Sequence, residues 1–426
     1  MSAIASISPY YAATAHAAPH RAALRGLINC DVCVIGGGIT GCSAALHLAA
    51  RGYAVALLEE HCIGWGASGR NGGQAHVGVA AGQTALERLV GRTDARAIWD
   101  MSVEALALLR TLIARYTIQC DWADGQMLVA IRPHQEGELR EQLLELRERY
   151  SYGSVRFLER DELRSLIASS RYIAGMHDSN GGHLHPLNYT LGLAAAAESH
   201  GARLFEGSPA LRFDGTGPVR VHTATGEVHC RQLLLCGNTS LGAGAAALRT
   251  RILAVGSCVI ATEPLGAERA DALIANNAAV ADMNWVLDYF RRSADQRLIF
   301  GGRVTYSGFD PARIAASTRS RMVAVFPQLT DVRVEHAWGG YIDITRNRAP
   351  HFGRLGANVY FMQGFSGQGI VLAGLAGKLV AEAVAGEAER FDIFARIPHH
   401  GFPGGVALRR PALVLAMLYY RLKDLL

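Results

Sequence analysis

Residues 31–41, DVCVIGGGITG, set Gly36, Gly38 and Gly41 in a G-x-G-x-x-G pattern where one apolar run ends and another, CSAALHLAARG, begins; Glu59 follows 21 residues after Gly38. Glycine lets the backbone come close to a pyrophosphate, and a helix start attracts it with free N–H groups and a positive dipole. A carboxylate about 20 residues further on takes the ribose hydroxyls. Gly36, Gly38, Ile39, Thr40, Gly41 and Glu59 are therefore read as a dinucleotide site. Just beyond, HCIGWGASGRNGGQ (61–74) gathers five glycines around Ser68, Arg70 and Asn71. This stretch is too irregular for a helix or strand and too rich in donors for a connector. Gly66, Ala67, Ser68, Arg70, Asn71 and Gly72 are expected to lie along the same ligand. A third glycine-rich turn, Gly364, Gly367 and Gly369 around Ser366 and Gln368, follows VYFMQ and leads into a helix running to about Ala385. A helix start beyond the carboxyl end of a strand is where ligands sit in an open α/β sheet, and its donors stabilise negative charge developing there.

The elements that position these residues follow from hydrophobic periodicity. Residues 31–36 read as a buried strand, 39–51 as a helix and 54–58 as a second buried strand, together a βαβ unit. With 426 residues, half of them hydrophobic, the chain has material for about two domains. The fold class expected is α/β, α+β overall: a Rossmann-like cofactor domain from 30–92, 157–250 and 346–390, and a mixed-sheet substrate domain from 93–156 and 251–345. The run HQEGELREQLLELRERY near 135–150 reads as a solvated helix. Residues 391–426 form a tail whose helix begins at a proline and is apolar all round from Ala412 to Tyr420, too short to cross a bilayer. Two readings of it stay open: packing against the cofactor domain or a partner subunit, or weak contact with a membrane surface through Arg409, Arg410, Arg421 and Lys423.

Other chemistries are excluded. The net charge of +5 is spread along the chain, so nucleic acid is not an expected partner. The eight cysteines read as scattered reduced thiols; Cys30 and Cys33, three apart on a strand, are expected on opposite faces. His183 and His185 stand at i and i+2 without a cysteine or carboxylate cluster, so no metal site is expected. The first thirty residues lack the pattern of a secretory signal, which gives a cytoplasmic expectation. The G-x-G-x-x-G unit occurs once, so the electrons are expected from an organic substrate rather than a second dinucleotide.

The loop GASGRNGG, GGHLHPLNYTLGLAAAAESHGARLFEG (181–207), RQLLLCGNTS (231–240, with Gly237), YFRRSADQRLIFGGRVTYSG (289–308), AWGGYIDITRNRAPHFGRL (337–355) and 359–387 come in an order that resembles FAD-dependent oxidoreductases of the D-amino-acid oxidase type. The two segments from 289 and 337 are similar to the gamma-glutamylputrescine oxidase branch. The resemblance implies non-covalent FAD and hydride transfer from a carbon bearing nitrogen, giving an imine that water hydrolyses. It implies a small-molecule amine as substrate and oxygen as acceptor, with hydrogen peroxide formed. No catalytic base is assigned. Arg70, Asn71, His183, His185 and Tyr341 are the candidates for lining flavin or substrate; for the two histidines, capping the next helix is the other reading. Trp338 is read as core, and Asp343 with Tyr341 as suited to a cationic chain. Gln368 departs from the branch, in which this position more often carries His. A membrane-associated D-amino-acid or glycine-type dehydrogenase and a non-enzymatic FAD-binding protein remain as alternatives.

Overall fold

The computed structural model describes residues 9–215, 218–240, 245–305 and 310–403. The tail helix expected over 412–420 and its flanking basic residues lie outside them. A short helix α1 (Tyr10–Thr14) precedes β1 (Gly26–Ile35), α2 (Ile39–Ala49) and β2 (Val55–Leu58). Then come β3 (Gln74–Ala75), α3 (Gln83–Arg115), β4 (Ala123–Ala130), α4 (Pro133–Leu144), β5 (Val155–Leu158), α5 (Arg160–Leu166) and β6 (Ala174–His183). They are followed by α6 (Pro186–Ser199), β7 (Arg203–Phe205), β8 (Arg212–Asp214), β9 (Val219–His222), β10 (Gly226–Leu235) and α7 (Ala246–Arg249). The chain continues through β11 (Ile252–Thr262), α8 (Ala267–Leu273), β12 (Ala279–Asp282), β13 (Tyr289–Arg292), β14 (Leu298–Thr305), α9 (Pro311–Val325) and β15 (Val334–Thr345). It closes with β16 (His351–Leu355), β17 (Val359–Gln363), α10 (Ile370–Val384) and α11 (Glu389–Ala395).

Two sheets result. The first runs β16-β17-β10-β1-β2-β7, parallel from β17 to β7, with the β8–β9 hairpin on β10. Its central strands are apolar and buried on both faces, as a parallel sheet covered by helices requires. The second runs β15-β11-β14-β13-β12-β4-β6-β3, with β5 on β6. Residues 155–183, from β5 through β6, thus pair in the second sheet, although the sequence division at 157 put most of them with the cofactor domain; β3 joins the same sheet. Helix α4 passes into a π-helical turn at Glu145–Arg149, covering the stretch expected near 135–150.

One local expectation is corrected. Consecutive amides, those of Asp31 and Val32, both donate to Ala54 O at 2.8 and 3.1 Å. This doubling disturbs the alternation along β1, and Cys30 packs against the same apolar cluster as Cys33 and Cys230 rather than on the opposite face.

Helices α2 and α10 cross in backbone contact. Ser43 Oγ donates to Gly374 O at 2.6 Å, and a Cβ on Gly377 would stand 2.5 Å from Ala44 N. The contact falls about one turn into α2 and one to two turns into α10, and residues at both N-termini line one cavity. Replacing Gly377 by valine would force these helices apart. Gly377→Val is expected to lower unfolding free energy by roughly 1–3 kcal/mol, the cost of overpacking a core. An unchanged urea midpoint would show that the crossing tolerates a side chain.

Candidate active site

The cavity, about 1570 Å³, lies between the N-termini of α2 and α10 and the inner face of the second sheet. At its first-sheet end the three motif glycines act by close approach. A Cβ on Gly41 would sit 1.9 Å from Gly36 O, and one on Gly38 would sit 2.8 Å from Ser68 Oγ. Ser68 Oγ accepts from Ile39 N at 2.9 Å, while the amides of Gly38 and Thr40 have no acceptor among the described residues. Glu59 ends β2 beside them: its carboxylate accepts from Gly37 N at 2.7 Å and His61 N at 2.9 Å, and burial raises its pKa. Next to Gly36, where the chain passes through Cys236 and Gly237, the buried Asn238 Oδ1 has no partner among the described residues. Unsatisfied amides at a helix start, a crowded glycine cradle and a carboxylate at the next strand end suit a dinucleotide's pyrophosphate and ribose.

The loop from 61 to 74 is held by its own side chains. Asn71 Nδ2 donates to Ala67 O (2.9 Å) and Ser68 O (3.0 Å), and Asn71 Oδ1 accepts from Gly73 N (2.8 Å). Asn71 therefore shapes the loop. Arg70 Nε donates to Trp65 O at 2.7 Å, its guanidinium lies 4.5 Å from the Trp65 ring centroid, and burial lowers its pKa. Trp338 is buried, as read from the sequence, and its Nε1 donates to Arg70 O at 3.0 Å, tying the loop to β15.

The turn before α10 is anchored to the same strand. Asp343 is buried, accepts from Gly364 N and lines the cavity; burial pushes its carboxyl up to about 7. Ser366 N donates to Asp343 O at 3.0 Å, and Ser366 Oγ accepts from Thr345 N at 3.3 Å. Ser366, Gly367, Gln368 and Gly369 line the cavity, as do Gly66, Ala67, Gly72, Gly237 and Tyr341, the last 43% exposed at the rim. Gly41 and Gly364 sit behind the wall and admit neighbouring backbone or side chains.

His183 and His185 are not in the cavity lining, which corrects their candidacy for substrate contact. His183 Nε2 lies 2.7 Å from Asn277 O. His185 caps α6, its Nδ1 accepting from Asn188 N at 3.1 Å, with Thr14 Oγ1 at 3.1 Å from Nε2. Burial first, then the Arg291 charge, pushes both down to about 3, so both rings are neutral. They lie beyond the end of the cavity-facing pattern of β6, where the strand turns into α6.

The sequence reading missed the far end of the cavity. Tyr289, Ala281, Leu128 and Met176 stand in register across β13, β12, β4 and β6 and all line it; Gln126 and Asp178 form a second cross-strand pair on the same face. Asp178 is 6% exposed and takes Tyr152 OH at 3.0 and 2.8 Å on its two oxygens. Burial raises its pKa, opposed by hydrogen bonds from Tyr152 and the amides of Asn180 and Gly181 and by the field of His76. Alternation in AGMHDSNGGH would have put Met176 and Asp178 on one face, the only local signal available.

This arrangement, a dinucleotide cradle opening onto a cavity beneath a mixed sheet, fits a flavin-dependent oxidoreductase. Residues 31–383 match the FAD-dependent oxidoreductase family, and the chain belongs to it; the family's members act on amines and amino acids. Among individual proteins, it is 41% identical over 418 residues, 98% of each chain, to gamma-glutamylputrescine oxidoreductase of Escherichia coli (strain K12). It is 39% identical to the probable oxidoreductase OrdL of Haemophilus influenzae, over 93% of this chain and 92% of that one. Glycine oxidase from Geobacillus kaustophilus shares the fold at TM-score 0.70 and 20% identity, covering 84% of this chain and 95% of its own. No helix among the described residues is long and apolar enough to cross a membrane.

The cradle makes a direct prediction. Gly38→Val is expected to purify folded and colourless, because the added carbons occupy the space at the helix start. A variant with the parent's flavin absorbance would remove the pyrophosphate from this position.

Proposed function

We propose that the enzyme oxidises the terminal amine of gamma-glutamylputrescine or a similar N-acylated diamine, using non-covalently held FAD. The observation that carries this reading is Asp178: a buried carboxylate at the far end of the cavity whose hydrogen-bond partners are neutral, with Tyr152 beside it and Trp99 in the same wall. A buried carboxylate lacking a counter-charge is costly, and an ammonium ligand supplies one. The in-register row from Tyr289 to Met176 crosses three strand gaps, about 14 Å at ~4.8 Å each, which suits an extended chain with a cationic group remote from the reacting amine. The relative's name points to the same substrate class.

Bound FAD supplies the two-electron acceptor for the C–N bond. The protein's part is to hold the reacting amine, deprotonated, against the cofactor, and to exclude water with Tyr289, Leu128 and Met176. The helix donors at the start of α10 would face the cofactor and would favour negative charge there. The imine formed is hydrolysed to an aldehyde with loss of ammonia, and oxygen takes the electrons as hydrogen peroxide.

The test is anaerobic mixing of the purified holoenzyme with gamma-glutamylputrescine, putrescine, glycine and D-alanine in separate experiments, following the oxidised flavin band. Bleaching by the first is expected to be fastest; bleaching by an amino acid alone would overturn the substrate assignment. Admitting oxygen afterwards restores the band if oxygen is the acceptor.

Asp178 makes the pH dependence specific. Its ionised form binds the cation, and burial places its pKa above the ordinary 3.8. Affinity is therefore present above that raised pKa and lost as pH falls through it, seen as a KM that climbs on acidification. Asp178→Asn is expected to raise KM by roughly tenfold or more with kcat little changed, as loss of ground-state binding does, and to flatten this acid limb. A parent-like KM and acid limb would detach Asp178 from the substrate.

A further inference from the structure

Arg291, in β13, is 3% exposed, and its five N–H groups end on five neutral acceptors. Nε donates to Gly72 O at 2.8 Å; Nη1 donates to Arg292 O at 3.0 Å and faces His183 Nδ1 at 3.5 Å. Nη2 donates to Tyr11 OH and Leu184 O, both at 3.0 Å. The geometry around His183 fixes its tautomer: Nε2 lies 2.7 Å from a carbonyl oxygen, which only accepts, so the ring proton is on Nε2 and Nδ1 offers its lone pair to the guanidinium. The acceptors come from separate parts of the chain: the N-terminal helix, the glycine-rich loop, the β6–α6 junction and β13 itself.

The loop is built to admit this group. A Cβ on Gly73 would lie 2.3 Å from Leu184 O and 2.8 Å from both Nε and Nη2 of Arg291, and φ there is +77°. Leu184 N donates to Gly73 O at 2.8 Å, and Gly73 N is held by Asn71. One side of the 70–73 segment thus rests on Arg291 and the 184 backbone, while Arg70, Asn71 and Gly72 form cavity wall on the other. Tyr11 is itself fully buried, its ring edge-on to Trp338 at 5.4 Å and His185 at 4.9 Å.

A buried guanidinium without a carboxylate costs stability, and a hydrophobic residue of similar size would avoid that cost. We propose that Arg291 is a positioning residue: its saturated fork holds the 70–73 segment in place for the bound FAD and joins the N-terminal helix to that wall through Tyr11. The planar fork matters as much as the charge, since an ammonium has three donors and cannot span these directions.

The holoenzymes of Arg291→Met, Arg291→Lys and Tyr11→Phe test this, with the visible absorbance of bound flavin, its midpoint potential and FAD retention on ultrafiltration as readouts. Arg291→Met is expected to release FAD at least tenfold more readily and to shift both the flavin band and the potential. Lysine should recover part of the shift, and Tyr11→Phe should move the same readouts less, in the same direction. A lowered melting temperature with parent band, potential and retention in Arg291→Met would make the residue structural only and overturn the proposal. Should Arg291→Met fail to fold, parent values of all three in both Arg291→Lys and Tyr11→Phe overturn it equally.

Discussion

The backbone contact between α2 and α10 is the constraint on which the site depends. Because Ser43 meets Gly374 and Ala44 meets the bare Cα of Gly377, the two helices cannot slide or rotate independently. Their N-termini are separate in sequence by more than three hundred residues, yet both face one cavity. One start has the glycine cradle and free amides that suit a pyrophosphate, and the other turns its donors to the same cavity, so a single close-packed crossing sets the relation between the two. Small residues are needed at the crossing for the same reason that they are needed in the turns: backbone must approach backbone.

The loop after β2 solves a different problem. It has little regular structure beyond one 3-10 turn, so its shape rests on side chains that bond inward, Ser68 to the start of α2 and Asn71 to three groups of its own segment. Polar composition in such a loop points to a ligand, but much of that polarity is spent on holding the loop. What faces the cavity includes backbone and glycine, which suits a large flat cofactor better than a ring of charged side chains would.

What was legible in the sequence was what local pattern determines. Gly36, Gly38, Gly41 and Glu59 could be read because strand, turn and helix follow one another within thirty residues, and periodicity marks each. Asp178 could not, because its significance comes from standing beside Gln126 on one strand and under Tyr152 from another segment. For the same reason the expected division at 157 cut through β5 and parted β6 from β4: the pairing of β6 with both strands is a tertiary fact that alternation alone does not disclose. His183 and His185 show the converse. Their spacing resembled a functional pair, whereas burial and neighbouring carbonyls made one a neutral acceptor and the other a helix cap. The doubled bond from Asp31 N and Val32 N to Ala54 O left no signal in residue type at all.

The five acceptors of Arg291 are carbonyls, a phenol and an imidazole lone pair. Surface pairs such as Arg140 with Glu136 and Glu159 weaken as salt screens them or acid protonates their carboxylates. Among the described residues no carboxylate bonds to Arg291, so its junction has none to protonate, and it is buried away from mobile ions. Ionic strength and moderate acidity, which loosen the outside of the molecule, leave the joint between its N-terminal helix and the cavity wall untouched.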